Sequence, residues 1–153
     1  MHERSRSAVV TAATMPGMRY ETKTAILIRA DLARWQIANV AGFLAGGLAG
    51  FFPEIVGEPY RDATGRIYTP LVREPLFVYA ATTAELARTH QRAITRNLRV
   101  AIYTEPLFKT ADDVANRAEV AKHATEALDL VGLGLHADRK TIDKVTSGLK
   151  FLD

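Results

Sequence analysis

Apolar residues change spacing several times along this chain, and each change marks an element. Ala25, Ile26, Leu27 and Ile28 form an unbroken apolar run too short for a helix, which predicts a strand covered on both faces. Asp31 follows as a turn or cap residue. From about Ala33 the spacing becomes helical, with Ile37, Val40, Ala41, Leu44 and Leu48 recurring on one side. Gly42, Gly46, Gly47 and Gly50 in the same stretch are expected to let another element approach closely. Pro53 ends the helix, because the residue before a proline is disfavoured in the helical region. The result is a strand, turn and helix unit of an α/β fold.

The rest of the chain alternates in the same way. Asp62, Ala63, Thr64 and Gly65 lie between apolar and aromatic flanks and predict a β-hairpin excursion around residues 55–72, with Gly65 suited to a positive φ. Pro59, Pro70 and Pro75 confine these strands to an edge or to a position outside the main sheet. Residues 76–80, LFVYA, resume as a buried strand. Thr82 or Thr83 then caps a helix with Glu85 in its first turn, whose inner side is expected to carry Leu86, Ala93, Ile94 and Asn97. Residues 98–103, LRVAIY, make a third core strand. Thr110 and Asp113 have capping-box spacing for a helix running to about Ala127, with Val114, Ala118, Ala121 and Ala124 as a small-residue packing face. Residues 130–135 form a fourth strand containing Gly132 and Gly134. Asp138 caps the last helix, Ile142 and Val145 face inward, and Gly148 stops it with Leu149 folded back.

Composition narrows the class. With 153 residues, 48% of them hydrophobic and 24% charged, the chain suits one soluble globular domain over residues 20–153 behind a leader over residues 1–19. The absence of cysteine excludes disulfides, a thiolate nucleophile and a Cys-ligated zinc, and a reducing cytoplasm is the expected compartment. Residues 40–52 are too few and too rich in glycine to span a bilayer, so no membrane partner is expected. The net charge of +3 comes mostly from Arg4, Arg6 and Arg19 in the leader, which lacks the apolar core of a secretory signal. It reads as a flexible extension, or as residues upstream of an effective start at Met15 or Met18. Within the folded part, Arg88, Arg92, Arg96 and Arg99 recur at near-helical spacing. Such a stripe contacts phosphates, as in RNA, or forms a solvated outer face, and the second is the commoner arrangement.

Familiar catalytic signatures are missing. Gly42 to Gly47 has the glycine spacing of a phosphate loop, but Leu48 stands where the lysine belongs, and no GxGxxG follows the first strand. His2, His90, His123 and His136 are scattered and show no HExxH or close pairing, so no metal site is expected. Ser5, Ser7 and Ser147 are the only serines, and none lies in a GxSxG elbow. Nothing calls for a cofactor.

Two segments resemble the type II peptidyl-tRNA hydrolases. Residues 23–44, KTAILIRADLARWQIANVAGFL, are similar to that family's opening, and residues 128–153, LDLVGLGLHADRKTIDKVTSGLKFLD, to its close, with IDKVTSGLK as the most specific part. Residues 75–105 keep the same strand, helix and strand order. A bacterial family of unknown function placed in that fold resembles the chain more closely still. The resemblance implies a three-layer α/β/α architecture with a four-stranded mixed sheet, often assembled as a homodimer. The reaction does not transfer with the fold. The family's first helix carries a lysine, a glutamine and a histidine in the pattern KxAAQxxHA. Here those positions are Gln36, Val40 and Phe43, so the original chemistry is lost. The family's aspartate after the third strand falls on Glu105. Ester hydrolysis needs an activated water and a stabilised oxyanion, for which Glu105 is the candidate base and Asn39 or Gln36 the candidate donor. Tyr103 and Thr104 stand at the carboxyl end of a strand, where α/β sheets bind ligands, and join Gln36 and Asn39 as candidate ligand-binding residues. Three readings follow: a ligand-binding protein without the ancestral reaction, taking a small molecule in the cleft beside the first helix; a divergent hydrolase of peptidyl- or aminoacyl-tRNA esters; and a homodimeric interaction protein.

Overall fold

The structure is a computed structural model and describes residues 20–153; the expected leader over residues 1–19 lies outside the described residues. The apolar run predicted as a strand sits inside β1 (Thr22–Arg29), where Ala25 to Ile28 are almost wholly buried. A strand hidden on both faces needs two cores. Ala25 and Leu27 belong to one, with Leu86, Ala93, Ile142 and Val145, and Ile26 and Ile28 to the other, with Val40 and Leu44. That division follows from the two-residue period of a strand.

Around β1 the chain builds α1 (Arg34–Phe51), a hairpin of β2 (Tyr60–Arg61) and β3 (Ile67–Tyr68), β4 (Leu76–Ala81), α2 (Thr83–Thr95) and β5 (Val100–Thr104). It continues with α3 (Asp113–Ala121), β6 (Leu130–Asp138), α4 (Arg139–Val145) and β7 (Lys150–Phe151). The main sheet has the order β5-β6-β1-β4-β7, with β1 and β4 parallel and the pairs β1/β6, β5/β6 and β4/β7 antiparallel. The chain thus leaves β1 through α1 on the Ile26 face and leaves β4 through α2 on the Ala25 face.

Local signals place the ends. Thr82 and Glu85 form the capping box of α2, each side chain bonding the other's backbone N–H. Asp138 caps α4. In the hairpin, Gly65 adopts φ +99° as expected, and the Asp62 carboxylate accepts from Tyr68 and from the backbone of Thr64 and Arg66. Those bonds, the one from Tyr68 foremost, hold the Asp62 carboxyl below its usual range.

Several expectations are corrected. The sheet has five strands rather than four. After α4, Gly148 at φ +90° reverses the chain, and β7 pairs with β4 while the Phe151 ring stacks on Tyr79 at 5.0 Å. The helix expected from Thr110 to Ala127 starts at Asp113 and stops at Ala121; its cap is Asp112, which accepts from the Ala115 amide, while Thr110 bonds Leu107 and Asn116. Its expected packing face of Val114, Ala118, Ala121 and Ala124 is exposed. Asn97 lies beyond the end of α2 at φ +56°, and Ile94 is 38% exposed rather than part of the core.

The glycine expectation is inverted. Nothing lies within 4 Å of a Cβ placed on Gly42, Gly46, Gly47 or Gly50. The close approach occurs at β6, where a Cβ on Gly132 would meet Val40 Cγ1 at 2.5 Å and one on Gly134 would meet Leu48 Cδ1 at 3.0 Å. The strand gives up its side chains so that α1 can settle on the sheet.

Candidate functional site

The first turn of α1 consumes one of the candidate residues. Gln36 Oε1 accepts the Ala33 backbone N–H at 2.9 Å, so its side chain closes the start of the helix. One turn later, exposed Asn39 lines a shallow groove of about 400 Å3 with Ala38, Gly42 and Phe43. Next to it, side chains from β5 and the 3-10 turn that follows it pack against α1, Tyr103 among them as a buried residue of the core. Tyr103 lies 5.9 Å from Phe43 and 5.0 Å from Phe108, and Phe108 meets Trp35 edge-on at 5.9 Å. Burial pushes the Tyr103 hydroxyl above its usual pKa, so it stays protonated at neutral pH.

Glu105 is drawn away from this groove. Its carboxylate pairs with Arg29 Nη2 at 3.2 Å, and Arg29 Nε also pairs with Asp31 at 2.6 Å. The Arg29 pair engages one oxygen of the Glu105 carboxylate, whose side chain stays partly exposed. Thr104 is buried. Of the candidates, Asn39 alone lines the groove; Tyr103 packs on Phe43 but is buried, as is Thr104, while Gln36 closes its own helix and Glu105 pairs with Arg29.

The four arginines of the stripe make separate contacts. Arg88 faces Glu85 at 3.9 Å, Arg92 donates to the Ser147 carbonyl, and Arg96 donates to the Arg92 carbonyl. Arg99 lies over the Phe51 ring at 4.7 Å, at the far end of α1. Among the described residues no group of His, Cys, Asp and Glu has the arrangement of a metal site, and no helix is long and apolar enough to cross a membrane.

A polar cluster that sequence reasoning missed lies at the amino end of β1. Glu74 accepts from the hydroxyls of Thr22 and Thr24, each at 2.8 Å. His136 Nδ1 lies 2.8 Å from Thr24 Oγ1 and 3.2 Å from Glu74 Oε1. The Thr24 hydroxyl has one proton and gives it to Glu74, so Nδ1 must be the donor in its contact with Thr24. Phe52 packs on the His136 ring at 4.9 Å, and Glu54 approaches Nε2 at 3.8 Å. The side chains of His136 and Glu74 are only 3% and 1% exposed, which closes them to a substrate; the cluster ties β1, β6 and the loop before β4 together. No local pattern around Glu74 signals it, because its partners lie 50 and more positions away in the chain.

The family model described as "Protein of unknown function (DUF2000)" matches residues 22–153. A solved structure of a protein of unknown function from Agrobacterium tumefaciens strain C58 is 41% identical in sequence, covers 87% of this chain and 98% of its own, and superposes with a TM-score of 0.84. No curated protein matches.

Proposed function

The chain belongs to the DUF2000 family of proteins of unknown function, and we propose that it is a binding protein that takes a flat, mainly apolar ligand in the groove beside α1 and performs no ester hydrolysis. The observation that carries this reading is the division of labour among the candidate residues. Glu105 pairs with Arg29 and Gln36 closes its own helix, while Asn39 and Phe43 line the groove and the Phe43 and Trp35 rings stand more than half exposed on the same helix. An aromatic wall with a single amide suits a planar molecule that stacks and makes one hydrogen bond. The resemblance to type II peptidyl-tRNA hydrolases supports the same location for the cleft, and the loss of the lysine and histidine at Gln36 and Phe43 supports the loss of the reaction.

The test uses N-phenyl-1-naphthylamine as a neutral planar probe and peptidyl-tRNA and simple esters as substrates. The expected outcome is saturable probe fluorescence that falls about tenfold in affinity in Phe43→Ser, a surface position, with no turnover of either substrate. Probe binding unchanged by Phe43→Ser, or turnover lost in Glu105→Ala, refutes it.

A second reading is self-association through the same helix. Residues 35–53 carry no charge, although Trp35, Phe43 and Phe51 are all more than half exposed. A two-fold interface sets identical patches against each other, and an uncharged patch meets its copy without like-charge repulsion. Light scattering at micromolar concentration distinguishes the readings, since a monomer there removes the second.

A further inference from the structure

The two edges of the main sheet are built differently. β7 is two residues long and carries Lys150, and shortness and lysine both keep an edge strand from pairing with another chain. β5 has neither guard. From Val100 to Tyr103 it holds no charge and no proline, and it pairs in regular register with β6, the register shift coming only after Tyr103. Among the described residues nothing pairs with its other side.

Two backbone bonds tell which groups of β5 face outward. The Glu105 N–H donates to the carbonyl of Asp129, just ahead of β6, at 2.9 Å, and along an antiparallel strand the bonding direction alternates from residue to residue. Tyr103 and Ala101 therefore bond β6, and Ile102 and Val100 turn their N–H and C=O groups away from it. The far side of β6 agrees. The Arg139 N–H bonds the Glu21 carbonyl at 2.9 Å, so by register Leu135 and Leu133 bond β1, which leaves Gly134 and Gly132 for Ala101 and Tyr103. Val100 and Ile102 are half-buried, and among the described residues they make no backbone bond outside the sheet.

We propose that this edge is the seam of a two-fold dimer, in which β5 of a second copy lies antiparallel to it and continues the sheet. The seam presupposes the self-association described above and names its surface, with α1 as the flank rather than the whole contact. When Ala101 lies on the axis, Val100 stands opposite Ile102 of the second copy, and every outward N–H and C=O of the two residues gains a partner. Val100 and Ile102 also form an apolar cross-strand pair on the α2 face, while on the α1 face the small Ala101 meets its own copy.

The charges select an antiparallel second copy. Arg99 stands just before the strand and Glu105 just after it, so antiparallel pairing brings Arg99 toward Glu105 of the second copy, whereas parallel pairing sets Arg99 against Arg99. Glu105 can receive it, since Arg29 takes one of its oxygens at 3.2 Å and its side chain is 42% exposed. Helix α1 runs along the same edge. Trp35 meets Phe108, Phe43 meets Tyr103 and Phe51 lies under Arg99, a descending order that sets the helix antiparallel to β5. These three rings are more than half exposed on a stretch without charge, and the two-fold brings both such flanks to the seam.

The experiment combines light scattering with amide hydrogen exchange of the isotopically labelled full chain at low and high concentration. The expected result is a dimer in which the Val100 and Ile102 amides are protected and from which they lose protection on dilution, while Ala101 and Tyr103 stay protected throughout. Val100→Pro removes an outward N–H and spares the β6 ladder, so it should give a folded monomer by circular dichroism. Arg99→Glu places acids together across the axis and should raise the dissociation constant about tenfold or more. A dimer whose Val100 and Ile102 amides exchange freely overturns the seam and leaves self-association to another surface, as does a dissociation constant unchanged in Arg99→Glu, whether or not Val100→Pro folds. A chain that stays monomeric at every concentration overturns both the seam and the self-association.

Discussion

Gly132→Ala isolates the contact on which the docking of α1 depends. The added methyl would stand 2.5 Å from Val40 Cγ1, 3.0 Å from Leu44 Cδ1 and 3.3 Å from the Leu27 carbonyl. Carbon atoms rest at roughly 3.5–4.0 Å, so Val40 must retreat by about 1 Å. Val40 is fully buried, and a β-branched residue in a helix has essentially one rotamer, so the helix itself has to shift. Overpacking of this kind costs roughly 1–3 kcal/mol, against which the stiffer unfolded chain returns about 0.4–1 kcal/mol. The net expectation is a loss of about 1–2 kcal/mol, or roughly 2–8 °C in Tm for a chain of this size. Val40→Ala alone should cost about 2 kcal/mol by opening a cavity. In the double variant the new methyl enters that cavity, so the combined loss should fall short of the sum by at least about 1 kcal/mol. Urea unfolding followed by circular dichroism measures all three. A Gly132→Ala variant as stable as the wild type, or strictly additive effects in the double variant, refutes the account of how helix and strand meet.

Three further outcomes are expected. Gly46→Ala replaces a helix-interior glycine over open space and should raise stability by up to about 1 kcal/mol in the same urea assay; a loss would mean that the glycine has an intrachain packing role. His136→Ala strips one partner from a buried polar pair and should cost about 3–5 kcal/mol, whereas removing Glu74 as well, in Glu74→Leu with His136→Leu, should cost clearly less than the two single changes together; additivity would show that the two residues act separately. Burial holds the His90 imidazole below its usual pKa of 6.5, so the unfolded chain takes up this proton first as the solution is acidified. The stability due to neutral His90 is present above about pH 6.5 and is lost as the pH falls from there through the lowered folded value, so on acidification below about pH 6.5 the wild type should lose more stability than His90→Gln; equal slopes would remove His90 as the cause.

The sequence announces β1 because four apolar residues in a row have no other economical use in a chain this short, and α1 because the spacing changes at once to helical. It does not announce β7. Two residues cannot display a two-residue period, and Lys150–Phe151 becomes a strand only because Phe151 finds Tyr79 across the sheet. Helix α3 shows a different limit. Its helical period is real, but with alanine dominating both sides the apolar count does not say which face turns inward, and the structure tucks in Ala115, Asn116, Glu119 and Val120 instead. The candidate residues had the same weakness: a position at a strand end or on the first helix fixes proximity to a cleft, whereas the Arg29 that captures Glu105 comes from a strand 76 residues earlier.

The two ends of the β1/β4 pair are built on opposite terms, and the contrast bears on where function resides. At the amino end Glu74, Thr22, Thr24 and His136 satisfy one another beneath Phe52, and a buried polar network that is fully bonded is rigid and costly to open. At the carboxyl end the connections part, and Ala30, Ala80, Ala81 and Thr82 line an open crevice. A fold that confines its expensive polar groups to one end of its central strands holds those strands in fixed register, so the opposite end can stay open without losing its shape. That asymmetry leaves the His136 cluster, for all its catalytic appearance, as the anchor of the register of the central strands.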